Sequence, residues 1–458
     1  MPKPINSKLQ IAMFPWFAYG HMIPFLQLAN EFAKRGHAIS FLLTKKALQK
    51  LANNNLYPHL ITLHPLTLPL VPGLPPGAET TAEMKDSFIL LQAMDGTREQ
   101  VRAILEKQKP NFVFFDVADW VVDLGSELGF KTIYYNVLSP TISALKLISS
   151  TSHAKPITTA YMMEPPPGYP TSKVFFREYE ARNLAYFANS FWDNTVKLFG
   201  RVATGMRNCD LLAMKTVKEL EGTYCDYFSA LYRKPVLYTG PVLPEPKAEP
   251  LEAEIKNWLE NFSHGSVIFC AFGSEWVLEK TQFQELLLGL EETQLPFLVA
   301  LKPPKGTSTI EEGLPEGFQG RVQKRGMVCG GWVSQDLILG HKSVGCFVNH
   351  CGYGSMWEGL MNDCQLVYVP NFFDQCLNTR LMVEELEVAV EVERDENGGF
   401  SKESICKAVK SVMDDDSMVG CLVRENHMKW KEVLNSPRFF IDYVETFIQH
   451  LQGLLLVE

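Results

Sequence analysis

Polar side chains that stand just beyond apolar runs are the residues of this chain best placed to do chemistry. They are densest between Trp332 and Gln375, where the chain reads WVSQDLILGHKSVGCFVNHCGYGSMWEGLMNDCQLVYVPNFFDQ. VGCFVNH, ending at His350, is an apolar run of strand length. Cys351-Gly352-Tyr353-Gly354-Ser355 follows at once, and then the helical pattern MWEGLM. Small residues at a strand-to-helix turn leave backbone N–H groups open to an anion, and the helix dipole favours negative charge there. Glu358 lies one turn into that helix, where a carboxylate can accept hydrogen bonds from both hydroxyls of a ribose. A second apolar run, QLVYVP, ends in Asn371-Phe372-Phe373-Asp374-Gln375, and a carboxylate beside an amide suits a polyhydroxylated ligand. A phosphate turn, a ribose-binding acid and a sugar-binding pair together point to a nucleotide sugar.

A second group lies near the start. Phe14-Pro15-Trp16-Phe17-Ala18-Tyr19-Gly20-His21 follows the strand-like run LQIAMF. A histidine there faces the ligand end of a sheet and can take a proton near neutrality. Read alone, His21 suits a helix-capping role equally well. Asp116 ends the run NFVFFD, and by itself it reads most simply as a helix N-cap. Asp119 is its neighbour and rival.

The elements that must position these groups alternate between strand and helix. LQIAMF, AISFLL, ITLHPL, NFVFFD and KTIYYN are strand candidates, with helices at His21–Arg35, at TKKALQKLA and over Met84–Lys107. Strands spaced by helices predict a parallel sheet covered on both faces. Pro156–Tyr179, with PPPGYP inside it, predicts an irregular loop or lid. The proline-rich, charged run 241–255 predicts a linker. Alternation then restarts with SVIFCAFGS, PFLVAL, MVCGGWV, VGCFVNH, QLVYVP and VAVEVE. The expectation is α/β: two facing Rossmann-like domains, 1–240 and 256–435, with a cleft between them.

Composition agrees with that size. Hydrophobic residues make up 46% of 458, enough for two cores. The formal net charge of −9 and the lack of a long basic run speak against nucleic acid, so an anionic ligand must be met by local N–H groups. The ten cysteines begin only at Cys209 and form no CxxC, which predicts reduced thiols in a cytoplasmic protein. No apolar run is long enough to span a bilayer. Asp414-Asp415-Asp416 stands far from the ligand-like segment and reads as a solvated turn rather than a metal site.

The segment Trp332–Gln375 resembles the signature box of the plant UDP-glycosyltransferases, inverting enzymes of the GT-B fold. Trp332, Gln335, His341, Gly345, Phe347, His350, Gly352, Ser355, Glu358, Pro370, Asp374 and Gln375 carry the match, and the resemblance extends over essentially the whole chain. It implies that 1–240 binds the acceptor, that 256–435 binds the UDP-sugar, and that the helix within 436–458 packs back on the first domain. It further implies that His21 is the general base and that Asp116 orients its imidazole. Trp332 would stack on uracil, with Val333 and Gln335 at the base and ribose. Ser274, His350 and Ser355 would contact phosphate beside the backbone of Gly352 and Gly354, and Asp374 and Gln375 would bind the sugar. No metal is implied; the co-substrate would be UDP-glucose, UDP-xylose or UDP-rhamnose.

The family pattern HCGWNS is HCGYGS here, and Ser334 stands where proline is common. With GLPPGAETT and AFGSE, these departures resemble the branch that adds a sugar to a sugar already on a flavonoid or other small molecule. Tyr353 would then change an aromatic beside the donor sugar. Trp16, Tyr19, Asp119, Trp120, Ser139, Phe187 and Phe191 are candidate acceptor walls. Two other readings are glucosylation of an aglycone and a nucleotide-sugar-binding protein without catalysis. A Rossmann dehydrogenase is excluded because no GxGxxG follows the first strand.

Overall fold

The computed structural model describes residues 8–84, 88–146, 157–190, 192–243, 250–273 and 276–456. Continuous apolar runs fold into two parallel sheets. The first holds β1 (Gln10–Phe14), β2 (Ala38–Thr44), β3 (Ile61–Leu66), β4 (Phe112–Phe115), β5 (Lys131–Asn136), β6 (Leu211–Met214) and β7 (Val236–Tyr238). The second holds β8 (Val267–Ala271), β9 (Phe297–Ala300), β10 (Gly326–Cys329), β11 (Val344–Asn349), β12 (Gln365–Tyr368) and β13 (Ala389–Glu391). Their orders are β3-β2-β1-β4-β5-β6-β7 and β10-β9-β8-β11-β12-β13. Each order reverses direction once, between β1 and β4 in the first sheet and between β8 and β11 in the second. A crevice opens beyond the carboxyl ends of strands at such a point.

Both faces of each sheet are buried, which is why the strands read as unbroken apolar runs. Along β1, Ala12 and Phe14 point to one core while Ile11 and Met13 point to another. Val267, Phe269 and Phe347 of the second sheet share the core of Ala12 and Phe14, so one apolar body runs through the seam between the sheets. The opposite face of the first sheet is covered by the helix Tyr19–Lys34 and by the last helix, Phe439–Leu454. Phe447 of that last helix lies 6.1 Å from the rings of both Phe32 and Phe114. The outer face of the second sheet is covered by the helices Lys280–Glu292 and Lys402–Met413.

Three details differ from the pattern in the sequence. The first helix starts at Tyr19, not at His21, so Pro24 falls in its second turn and Gly20 supplies the carbonyl that loses its ladder donor. The long helix expected over Met84–Lys107 is broken: Ile89–Asp95 and Arg98–Gln108 are separate helices on either side of Gly96-Thr97, with 85–87 outside the described residues. The proline-rich stretch carries a short helix, Thr159–Met163, before the helix Glu178–Ser190. Within the expected linker, residues 244–249 lie outside the described set. No helix among the described residues is long and apolar enough to cross a membrane.

Candidate active site

β1 and β4 are parallel neighbours with Phe14 opposite Phe115, so the loops that follow them leave the sheet side by side. This brings His21 to Asp116: Nδ1 lies 2.7 Å from Oδ2. Asp116 is 2% exposed and His21 21% exposed, so the acid is enclosed while the imidazole keeps an open edge. Trp16 N–H and Val117 N–H donate to Asp116 Oδ1 at 2.8 and 2.7 Å. With one oxygen held by backbone, the other is aimed at the imidazole. A carboxylate only accepts, so Nδ1 carries the proton and Nε2 keeps its lone pair.

The candidate donor residues follow β10, β11 and β12, all at the same end of the second sheet. Trp332 is 75% exposed, which rules out a core role and leaves its ring face open. Val333 is buried beside it. Gln335 Nε2 donates to Glu358 Oε2 and lies 3.4 Å from Ser355 Oγ, so the three form one polar group. Burial pushes the Glu358 carboxyl up; the Gln335 hydrogen bond and the Lys215 ammonium draw it down.

His350 is packed edge-on between two glycines. A Cβ on Gly273 would stand 3.0 Å from the His350 ring and one on Gly352 2.8 Å from it, so both positions need glycine for this approach. Burial lowers the imidazole to about 4, so the ring is neutral and offers a single N–H. Its Nδ1 is buried without a partner among the described residues. Gly354 is exposed at the helix start, and a Cβ there would meet nothing within 4 Å. Asp374 and Gln375 open the helix Asp374–Arg380, where Gln375 Oε1 accepts from Asn371 N–H at 3.0 Å. Ahead of them Phe373 has φ 46°, a strained value for a side chain of its size. Phe176 of the first half stacks on the Phe373 ring at 6.5 Å. Ser274 lies outside the described residues.

Tyr353 is turned to the interior. Its side chain is buried at the seam, and its hydroxyl lies 2.8 Å from both Lys215 O and Glu221 Oε2, two acceptors for its single proton. Ser334 Oγ turns to Glu252 at 3.0 Å. Asp414-Asp415-Asp416 forms an exposed turn between two helices, with Asp415 paired to Arg424 at 3.0 Å.

The candidate acceptor walls have different surroundings among the described residues. Trp16 and Trp120 join the seam core, and Trp120 Nε1 donates to Asp95 at 3.0 Å. Tyr19 belongs to the opposite core, with the Lys50 ammonium 4.1 Å from its ring centre. Asp119 is half-buried, and burial raises its carboxyl against the pull of Arg201. Phe187 bridges the halves, 5.3 Å from the Phe372 ring. Ser139 is fully enclosed and its hydroxyl donates to Glu221. Phe191 lies outside the described residues.

Lys215 and Glu221 belong to no motif in the sequence. The available signal was a charged residue directly after the short apolar run Leu211–Met214, too brief to stand out as a strand.

Comparison with known proteins agrees with this architecture. The family model described as UDP-glucoronosyl and UDP-glucosyl transferase matches residues 246–447. An Arabidopsis thaliana protein named anthocyanidin 3-O-glucoside 2'''-O-xylosyltransferase is 50% identical over 97% of this chain and 97% of its own. Arabidopsis thaliana UDP-glycosyltransferase 79B8 is 51% identical over 97% of this chain and 98% of its own. Among solved structures, Medicago truncatula UGT71G1 complexed with UDP-glucose superposes with TM-score 0.80 at 21% identity, over 98% of this chain and 99% of that one. With about half its residues shared along nearly the whole length of those relatives, the chain belongs to the plant UDP-glycosyltransferases, transferases of the GT-B fold.

Proposed function

We propose that this enzyme moves a sugar from a UDP-sugar to a hydroxyl of a small molecule that already carries a sugar, with a flavonoid 3-O-glucoside as the leading acceptor. The observation that carries the chemistry is the His21–Asp116 contact of 2.7 Å at the first strand-order reversal. His21 Nε2 takes the acceptor proton as the acceptor oxygen attacks the anomeric carbon. The bond from that carbon to the diphosphate oxygen breaks, and its electron pair leaves with UDP. Attack from the opposite face inverts the centre, so an α-linked donor yields a β-linked product. Asp116 holds the imidazole tautomer and stabilises the imidazolium that forms.

The donor reading assigns Trp332 to uracil and Glu358 to the ribose. Ser274, His350, Ser355 and the Gly352 and Gly354 backbone take the diphosphate, and Asp374 and Gln375 the sugar. The acceptor side falls to the half before the linker. The xylosyltransferase name of a relative at 50% identity supports both a glycosylated acceptor and UDP-xylose as the first donor to try, ahead of UDP-glucose and UDP-rhamnose. Ten free cysteines, most of them buried, suit a reducing compartment such as the cytoplasm.

The test is a panel. UDP-xylose, UDP-glucose, UDP-rhamnose and UDP-galactose are each offered with a flavonol and with its 3-O-glucoside, and products are read by mass. Transfer confined to the glucoside is expected; transfer to the aglycone instead points to ordinary glycosylation. His21→Ala is expected to lower turnover by about 10²–10⁴-fold with UDP binding unchanged. Equal loss of both would make His21 a structural residue.

A further inference from the structure

Phe373 stands immediately before the candidate sugar pair Asp374-Gln375, with φ 46° and ψ −103°. A positive φ with that ψ lies outside the small left-handed well open to side chains, and only glycine adopts it freely. A bulky residue keeps such a backbone only where its surroundings over-determine it. Here the surroundings come from the first half. Phe176, 1% exposed, stacks on the Phe373 ring with centroids 6.5 Å apart and planes at 23°. Phe187 meets the Phe372 ring edge-on, at 5.3 Å and 71°.

The segment that carries these two rings is tied to the second half along its length. Lys173 Nζ donates to Glu384 O at 2.8 Å, and Arg182 Nη2 to Glu396 O at 2.7 Å. Arg177, next to Phe176, holds Glu391 through two bonds of 3.0 Å. Glu180 shares the helix Glu178–Ser190 with Phe187 and accepts from Arg380 at 2.7 Å, and Arg380 ends the helix that Asp374 opens. That helix is therefore fixed at its last residue by charge and at its entry by the rings of Phe176 and Phe187. Gln375 Oε1 also accepts from Asn371 N–H at 3.0 Å, which closes the entry turn on itself. With both ends held, the backbone of Phe373 sets where the Asp374 carboxylate and the Gln375 amide leave the chain.

We infer that Phe176 is a positioning residue for the donor sugar: from the first half, its ring holds Phe373 in a backbone conformation natural to glycine and so aims Asp374 and Gln375. The strain of one such residue and the stabilisation from one buried ring contact are of similar size, so removing the ring is enough to release the turn. The inference rests on reading Asp374 and Gln375 as the sugar ligands. It adds that recognition of the donor sugar, but not of UDP, depends on a side chain from the other half of the molecule.

The experiment titrates the full chain with UDP, UDP-xylose and UDP-glucose by calorimetry. Phe176→Ala is expected to bind the two UDP-sugars about tenfold more weakly, the size of one charge-assisted hydrogen bond, and UDP as the native protein does. Phe176→Leu leaves a smaller void and gives the same readout should the alanine variant not fold. Phe373→Gly is the rescue. Glycine takes φ 46° without a brace, so adding it to Phe176→Ala is expected to return most of the UDP-sugar affinity. Phe176 variants that leave all three affinities intact, or that weaken UDP and the UDP-sugars alike, overturn the inference. So does a double variant that binds no tighter than Phe176→Ala. If Asp374→Ala and Gln375→Ala themselves weaken the UDP-sugars no more than UDP, the sugar-pair reading falls first and the inference with it.

Discussion

At the scale of single residues, Gly354 is where the signature departs most clearly from the family pattern, and the site around it is open. A Cβ there meets nothing within 4 Å, and φ lies outside the left-handed region, so neither packing nor backbone demands glycine. Gly354→Asn would restore the amide that the family carries and remove part of glycine's helix penalty, worth about 0.3 kcal/mol. The expected result is a folded variant, slightly more heat-stable, that binds UDP a few-fold tighter in a calorimetric titration. Unchanged or weaker binding would mean that the amide does not reach the diphosphate. Gly273 and Gly352 are the contrasting case: a side chain at either position meets the His350 ring. Much at this scale was legible in advance, because His21, Asp116, Glu358 and Asp374 each follow an apolar run that must end at the ligand edge of a parallel sheet. Tyr353 was not legible. Its replacement of tryptophan suggested a contact with the sugar, but its partners Lys215 and Glu221 come from a distant stretch of chain, and nothing local announces them.

At the scale of elements, the strands of the second half were all visible, since each is an apolar run bounded by polar or glycine residues. β6 and β7 of the first half were not. One is four residues long and the other three, and β7 is only half-buried, so neither stands out from a helix fragment by periodicity. The helix expected from Met84 onward failed at Gly96, where its apolar face was continuous but the backbone was not. The helix Asp374–Arg380, which carries the candidate sugar pair, is held from its far end by charge. Arg380 is 2% exposed, pairs with Glu180 at 2.7 Å and also bonds Glu391. Arg177 grips Glu391 through two contacts of 3.0 Å. Glu180 and Arg177 belong to the first half, so this buried network crosses the seam just behind the site. Arg380→Met leaves Glu180 buried without its cation, a change of the kind that costs about 3–5 kcal/mol. Urea unfolding is the measurement. A loss under about 1 kcal/mol would show that Glu180 finds another partner or water.

At the scale of the whole molecule, the two sheets share one apolar core, and the charges buried beside it make stability depend on pH from both sides. His37, His64, His350 and His427 are all held below the ordinary imidazole value, in each case chiefly by burial. Between about pH 6.5 and 4 the unfolded chain therefore binds more protons than the folded one, and stability falls as the pH drops through that window. Urea midpoints that decline from pH 7 to 5 are the expected record; a flat profile would mean the rings are hydrated in solution. Lys215 acts at the other end. Its lowering from 10.5 to about 8 means that below pH 8 both states hold the proton and the full cost of burying the charge is present. Between pH 8 and 10.5 the folded protein loses that proton first, so the unfolded chain binds more, and this part of stability recovers as the pH rises. A shift of that size corresponds to about 3 kcal/mol. Lys215→Met should accordingly unfold at higher urea than the native protein at pH 7, with the gap narrowing toward pH 10. A destabilised Lys215→Met at pH 7 would mean that the ammonium is solvated in the folded protein.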